Sequence, residues 1–169
     1  LCKTTHPSLG EVEIVIDASE KYIESGITVG EKRNGLLRRA TGEYLCYLDD
    51  DDDVAPNYIE TLLRLCLEGK AVCAFNSLFI CDTYWSIIDM SLLNENEEAT
   101  PENIVKRKPF HICPVKSELA KRESFPDINN AEDWGWMEKV LVHVKSEMKT
   151  NKIIHSYRHS KFISAVDAI

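Results

Sequence analysis

Five consecutive carboxylates, Asp49 to Asp53, are the residues of this chain whose type and spacing most plainly point to chemistry. Like charges this close repel by about 1 kcal/mol per pair at 4 Å even in water, and by more where screening is poor. A divalent cation relieves that repulsion, and an all-oxygen ligand set suits magnesium or manganese. Three other readings compete. A solvated acidic turn would favour the N-terminus of the following helix. An EF-hand would use Asp49, Asp51, Asp53 and Glu60, but Val54 stands where that loop needs glycine, and Pro56 interrupts it. An aspartate-nucleophile phosphatase wants a threonine where Asp53 stands. A cation holding a diphosphate fits the run best.

The elements around the run decide where it sits. Tyr44 to Leu48 is a continuous apolar stretch, expected as a strand buried on both faces of a parallel sheet. Ahead of it, residues 12–16 read as a strand ending at Asp17, and Glu31 to Ala40 as a helix with Gly42 beyond its end. After it, Pro56 opens a helix carrying Ile59, Leu62, Leu63 and Cys66, stopped by Gly69, and Ala71 to Phe75 forms the next strand. This order predicts an α/β fold with a mostly parallel central sheet flanked by helices, and the aspartates lie at a strand's carboxyl end, where such sheets bind ligands.

The second half is less regular. One or two strands are expected within Ser77 to Met90, a loop over Asn94 to Thr100, a strand over Phe110 to Val115 and a loop over Ser124 to Asn130. From Glu132 a helix is expected, with Met137, Val140, Leu141, Val144 and Met148 on one stripe, then a last strand over Ile153 to Tyr157.

The 169 residues suit one domain, with a first half over about residues 1–90 that carries the acidic run and a less regular half over about 91–169. A net charge of -8 argues against a general nucleic-acid binder, which needs a basic surface. No apolar run reaches the roughly 18 residues that cross a bilayer. The six cysteines form no CxxC pair and lie in apolar stretches, so free thiols in a reducing, cytoplasmic setting are expected.

Gly30-Glu31-Lys32-Arg33-Asn34-Gly35, Ala40-Thr41-Gly42-Glu43-Tyr44 and Leu48-Asp49-Asp50-Asp51-Asp52 occur in that order. With Val15-Ile16-Asp17 and Ser19 upstream, Asn57-Tyr58-Ile59 after the aspartates and Ala131-Glu132-Asp133-Trp134 further on, the set resembles family 2 glycosyltransferases of the GT-A fold. The resemblance implies transfer of a sugar, with inversion, from a nucleoside diphosphate (a UDP-sugar at family level) to a hydroxyl of a glycan or other acceptor. It implies a manganese or magnesium ion on an Asp-x-Asp motif, with the nucleotide-sugar and metal half over about residues 1–90 and the acceptor half over about 91–169. Asp17 resembles the aspartate that holds the base or ribose, and Arg33 the arginine beside the nucleotide. Asp49 and Asp51 resemble the Asp-x-Asp pair, with Asp50 and Asp52 the alternative register. Asp133 resembles the catalytic base, with Glu132 as its orienting or acceptor-binding neighbour. Members of the family usually carry a strand, a nucleotide-binding loop and a long helix before the Asp17 position, so a compressed or longer N-terminal part is expected here.

Without the resemblance, Glu132 and Asp133 read as acids favoured in the first turn of a helix. One of Trp134 and Trp136 is expected in the core, the other against a sugar face. Arg158, in the polar stretch His155 to His159, is a candidate clamp on the diphosphate. His111 and His155 read as structural histidines. A nucleotidyltransferase and a non-catalytic nucleotide-sugar-binding module are the competing functions; no Gly-rich phosphate loop supports the first.

Overall fold

In the computed structural model, residues 2–6, 9–17, 26–101 and 103–159 are described. Ser19 and the Cys2 side chain lie outside what is described. The strands are β1 (Cys2–His6), β2 (Gly10–Ile14), β3 (Tyr44–Leu45), β4 (Asp53–Val54), β5 (Val72–Cys81), β6 (Trp85–Met90), β7 (Ile104–Arg107), β8 (Val115–Lys116) and β9 (Glu147–His159). The helices are α1 (Val29–Arg39), α2 (Tyr58–Cys66), α3 (Ser117–Ala120) and α4 (Glu132–His143).

Each of the longer helices starts and stops for a local reason. Thr28 caps α1 by accepting from the Glu31 amide at 3.1 Å. Past α2, Gly69 takes a φ of 68°, the left-handed turn that a glycine adopts without strain. Helix α4 is preceded by Ala131 at φ 61°, a strained value for a residue with a Cβ, directly before Glu132 and Asp133.

Strand β5 is the axis of the sheet. Its first four residues, Val72 to Phe75, are fully buried. It runs parallel to β9 along its whole length, from Val72 opposite Glu147 to Cys81 opposite His159. It is also antiparallel to β8 at Val72 and to β6 from Asn76 to Ile80. Strand β6 then pairs parallel with β7.

The α/β class is as expected, but the sheet is mixed rather than mostly parallel: β3–β8, β4–β9, β5–β6 and β5–β8 are antiparallel, against parallel β5–β9 and β6–β7. Strand β2 pairs with β1 in a separate two-stranded sheet, so the expected β-α-β-α-β unit is not formed through it. The stretch 44–48 contributes only two strand residues, antiparallel to β8, and Leu48 is exposed, so burial on both faces does not hold. Phe110 to Cys113 is a turn closed by the Cys113 amide on the Phe110 carbonyl at 2.9 Å, which leaves only Val115 of the expected 110–115 strand in β8. Helix α4 ends at His143, and Met148 of the proposed stripe lies in β9. Val144 caps the helix, and both it and Met148 pack with the core from outside α4.

The core joins β5 to the helices through Leu62, Leu65, Phe75, Val115, Phe125, Trp136, Met137 and Val140. Trp136 stacks on Phe125 with centroids 4.5 Å apart and meets Tyr47 edge-on. The five described cysteines, Cys46, Cys66, Cys73, Cys81 and Cys113, are free thiols, as expected. No helix among the described residues is long and apolar enough to cross a membrane.

Candidate active site

Helix α1 carries Arg33 toward the end of the apolar stretch where the aspartates begin. One guanidinium nitrogen, Nη2, donates to both carboxylate oxygens of Asp49, at 2.9 and 3.1 Å. Nε donates to Glu132 Oε1 at 2.9 Å. The Arg33 side chain is 11% exposed and that of Glu132 6%, so this is a desolvated pair rather than a solvated helix-start cation. The neighbouring Asn34 exchanges two hydrogen bonds with the backbone of Phe125, each 2.9 Å. Gly30 completes the latch: its amide donates to the Ile128 carbonyl, and a Cβ there would lie 1.8 Å from the Pro126 carbonyl oxygen. The Gly-Glu-Lys-Arg-Asn-Gly motif therefore ties α1 to loop 125–129, which leads into Glu132 and Asp133.

His111 bridges the two acidic positions. Its Nε2 lies 3.5 Å from Asp49 Oδ2 and its Nδ1 3.1 Å from Asp133 Oδ2, close ion-pair contacts rather than well-aligned hydrogen bonds. Burial disfavours the imidazolium, but the contacts with Asp133 and Asp49 outweigh it and raise the pKa above the usual histidine value, against opposition from Arg33. The same contacts act on the carboxylates. Burial opposes the charge of Asp49, yet His111 and Arg33 bring its pKa down to about 2. Burial likewise opposes that of Asp133, and His111, the Trp134 amide and Arg33 lower it. One connected cluster, Glu132–Arg33–Asp49–His111–Asp133, thus joins the acidic run to the start of α4.

The remaining aspartates diverge. Asp50 and Asp51 are exposed. The pKa of Asp51 is raised, first by partial burial and then by the like charges of Asp52, Asp49 and Asp50. Asp52 points inward, with its side chain 3% exposed. Its Oδ2 meets His155 Nε2 at 2.9 Å, and His155 Nδ1 meets Ser77 Oγ at 2.7 Å. The other oxygen, Oδ1, is buried without a partner. Asp53 lies in β4 and pairs with Arg158 of β9 at 3.1 Å, both well exposed. Arg158 therefore stands at the rim of the run. Asp17 follows β2, whose hairpin is fixed to the far end of α1 by Glu13, which accepts from Thr41 and Gly42, and by Arg39 on the Ile16 carbonyl. That end lies about 9 Å of helix rise from Arg33.

A cleft runs between these groups, lined by Asp49, Asp52, His111, Asp133, His155 and Arg107, with Phe110 and Tyr157 among its aromatic walls. Its volume, about 280 Å³, is at the lower end for ligand sites. Trp136 is buried, as one of the two tryptophans was expected to be, and Trp134 is half-buried against Phe110.

Arg33, Asp49, Glu132 and Asp133 are brought together as the motifs suggested. His111 and His155, expected only as structural histidines, line the cleft with the acids. The available signal for His111 was only its place between two apolar residues near the Glu-Asp pair.

A relative in Haemophilus influenzae, described as an uncharacterized glycosyltransferase, is 28% identical over 136 residues; the match covers 78% of this chain and 50% of that protein. Two crystal structures of S. aureus TarS, one in complex with UDP-GlcNAc, superpose with TM-scores of 0.56 and 0.57 at 16% identity. They match 78% of this chain and 40% and 39% of theirs, so the chain spans half or less of the relatives it resembles. The shared fold is the GT-A-like α/β arrangement that the motifs implied. Residues 21–128 match the model of glycosyl transferase family 2, and the chain belongs to that family.

Proposed function

We propose that this chain carries the nucleotide-sugar site of an inverting glycosyltransferase that uses a UDP-sugar and a divalent cation. The observation that carries the reading is the continuous cluster from Asp49 through Arg33 and His111 to Asp133, which sets a donor-side carboxylate and a base candidate on one cleft. The complex of TarS with UDP-GlcNAc supports a UDP-sugar as donor.

The residues at the run suit a cation. Asp51 is exposed and crowded by like charges, and Asp52 Oδ1 is a buried oxygen without a partner. Among the described residues no three His, Cys, Asp or Glu side chains form a ready metal cage, so a cation here draws further oxygens from diphosphate and water. When bound, it supplies Lewis-acid stabilisation of the leaving diphosphate. Asp51 is the primary ligand and Asp49 the secondary one, with Asp50 beside the donor. Asp49 is already committed to Arg33 and His111, so it acts mainly by fixing Arg33 next to the nucleotide. Arg158, at the rim, clamps the diphosphate, and Asp17 holds the base or ribose.

Asp133 takes the proton of the acceptor hydroxyl as its oxygen attacks the anomeric carbon from the face opposite the diphosphate. His111 keeps that carboxylate ionised, and the Trp134 amide fixes its orientation. Glu132 orients Arg33.

A panel of nucleotide sugars, followed by thermal stabilisation and by release of nucleoside diphosphate with and without manganese, tests the reading. Asp51→Asn is expected to abolish metal-dependent donor binding. Asp133→Asn is expected to keep binding and lose transfer. Failure of every nucleoside diphosphate sugar to bind with manganese present would overturn the proposal, and equal loss of donor binding in both variants would remove Asp133 from the role of base.

A further inference from the structure

Arg107 has no role in the cluster just described, yet it lines the same cleft as Asp133 and His111. It closes β7, opposite Met90 of β6, and so stands on the sheet wall rather than on the helix and loop wall that carries the acids. Its Nε donates to the Glu97 carbonyl at 3.1 Å, which holds the side chain in place. Arg33, Arg64 and Arg158 each meet a carboxylate, whereas among the described residues Arg107 meets none.

Each lining carboxylate has at least one partner within the protein, although the buried Asp52 Oδ1 has none. Asp49 has Arg33 and His111, Asp133 has His111, and Asp52 has His155. The Arg107 guanidinium is therefore the charge in the cleft left to its ligand. An anionic ligand group in this cleft, beside Ile88, Met90 and Phe110, would meet the guanidinium by charge-assisted, bidentate hydrogen bonds.

We propose that Arg107 is a specificity-determining residue that recognises an anionic group, a phosphate or carboxylate, on the acceptor. This rests on the glycosyltransferase reading and extends it by naming the acceptor class. The cleft is polarised, with acids on one wall and Arg107 on the other. An acceptor with an anion remote from its reacting hydroxyl enters in one orientation, anion on Arg107 and hydroxyl toward Asp133. The reverse orientation sets anion against carboxylate.

The test uses the full chain with glucose 6-phosphate, glucuronate and glucose as probes, their binding followed by NMR titration both without nucleotide and in the presence of UDP and manganese. The two charged probes are expected to bind the wild type at least tenfold tighter than glucose, with the preference weakening as salt rises. Arg107→Gln is expected to bring all three to the level of glucose, leaving the UDP affinity unchanged, while Arg107→Lys restores part of the preference. Charged probes that bind no better than glucose to the wild type overturn the proposal without any variant. A loss of UDP affinity in Arg107→Gln equal to its loss of charged-probe binding also overturns it, by assigning the residue to the donor. Failure of UDP to bind sinks the glycosyltransferase reading instead, and the titrations without nucleotide still decide the Arg107 question.

Discussion

At the scale of single residues, the cleft turns on His111. An imidazole at this depth would ordinarily be neutral, because burial penalises its charge. Here two carboxylates, Asp133 and Asp49, reverse that outcome and raise its pKa. A group whose pKa is higher in the folded than in the unfolded chain stabilises fully below its unfolded value, about 6.5, and loses that contribution as pH rises through the folded value. The stability gap between wild type and His111→Gln is thus expected to be constant between about pH 5.5 and 6.5 and to shrink toward pH 9. Urea midpoints across that range measure it; a gap that widens with pH would show His111 to be held neutral. Removing one partner should act through the same contact. Asp133→Asn is expected to lower the His111 pKa, read from the imidazole signals by NMR. Sequence alone suggested Arg33, Asp49 and Asp133 because their motifs are local. His111 and His155 read only as structural histidines because each gains its meaning from partners far along the chain, Asp133 and Asp49 for the first, Ser77 and Asp52 for the second.

Among the elements, α1 has the most to do for its length. Its first turn is latched to loop 125–129 by Gly30 and Asn34, its middle carries Arg33 into the cluster, and its end holds the β1–β2 hairpin through Arg39. The two latch residues should differ in cost. Asn34→Ala removes two hydrogen bonds and leaves the Phe125 backbone groups to find other partners, a loss of about 1–3 kcal/mol. Gly30→Ala puts a methyl 1.8 Å from a backbone oxygen that has no rotamer to escape into, so loop 125–129 must leave the helix. Chemical denaturation should therefore rank Gly30→Ala as the more damaging; equal or reversed effects would mean the loop is not held at Gly30. Helices were the legible elements, since caps, glycine stops and a 3.6-residue apolar period are written locally. Strand direction was not. Tyr44 to Leu48 and Phe110 to Val115 have strand-like composition, but whether such a stretch pairs, and which way, is decided by a partner elsewhere in the chain. Composition also could not reveal that β2 pairs with β1 outside the main sheet.

For the whole molecule, the earlier and later parts of the chain are bound into one unit by strand β9. Strand β9 runs for 13 residues, pairing with β4 beside the acidic run and with β5 along the core. It also delivers His155 to Asp52 and Arg158 to Asp53, so the acidic run depends on residues about a hundred positions downstream. Ile154, 1% exposed, sits at the centre of this seam, and its backbone carbonyl accepts from Ala55 at 3.0 Å. Its truncation should therefore be felt on both sides of the molecule. Ile154→Ala is expected to cost about 2–5 kcal/mol, the range for a buried aliphatic reduced to alanine. If β9 makes one cooperative unit of the chain, unfolding followed by tryptophan fluorescence, which reports Trp85 on β6 and Trp134 and Trp136 on α4, will coincide with unfolding followed by far-ultraviolet circular dichroism. The midpoint should fall by the same amount in both signals. A variant whose fluorescence transition separates from its dichroism transition would show that parts of the chain unfold independently, and that β9 decorates the sheet rather than joins it.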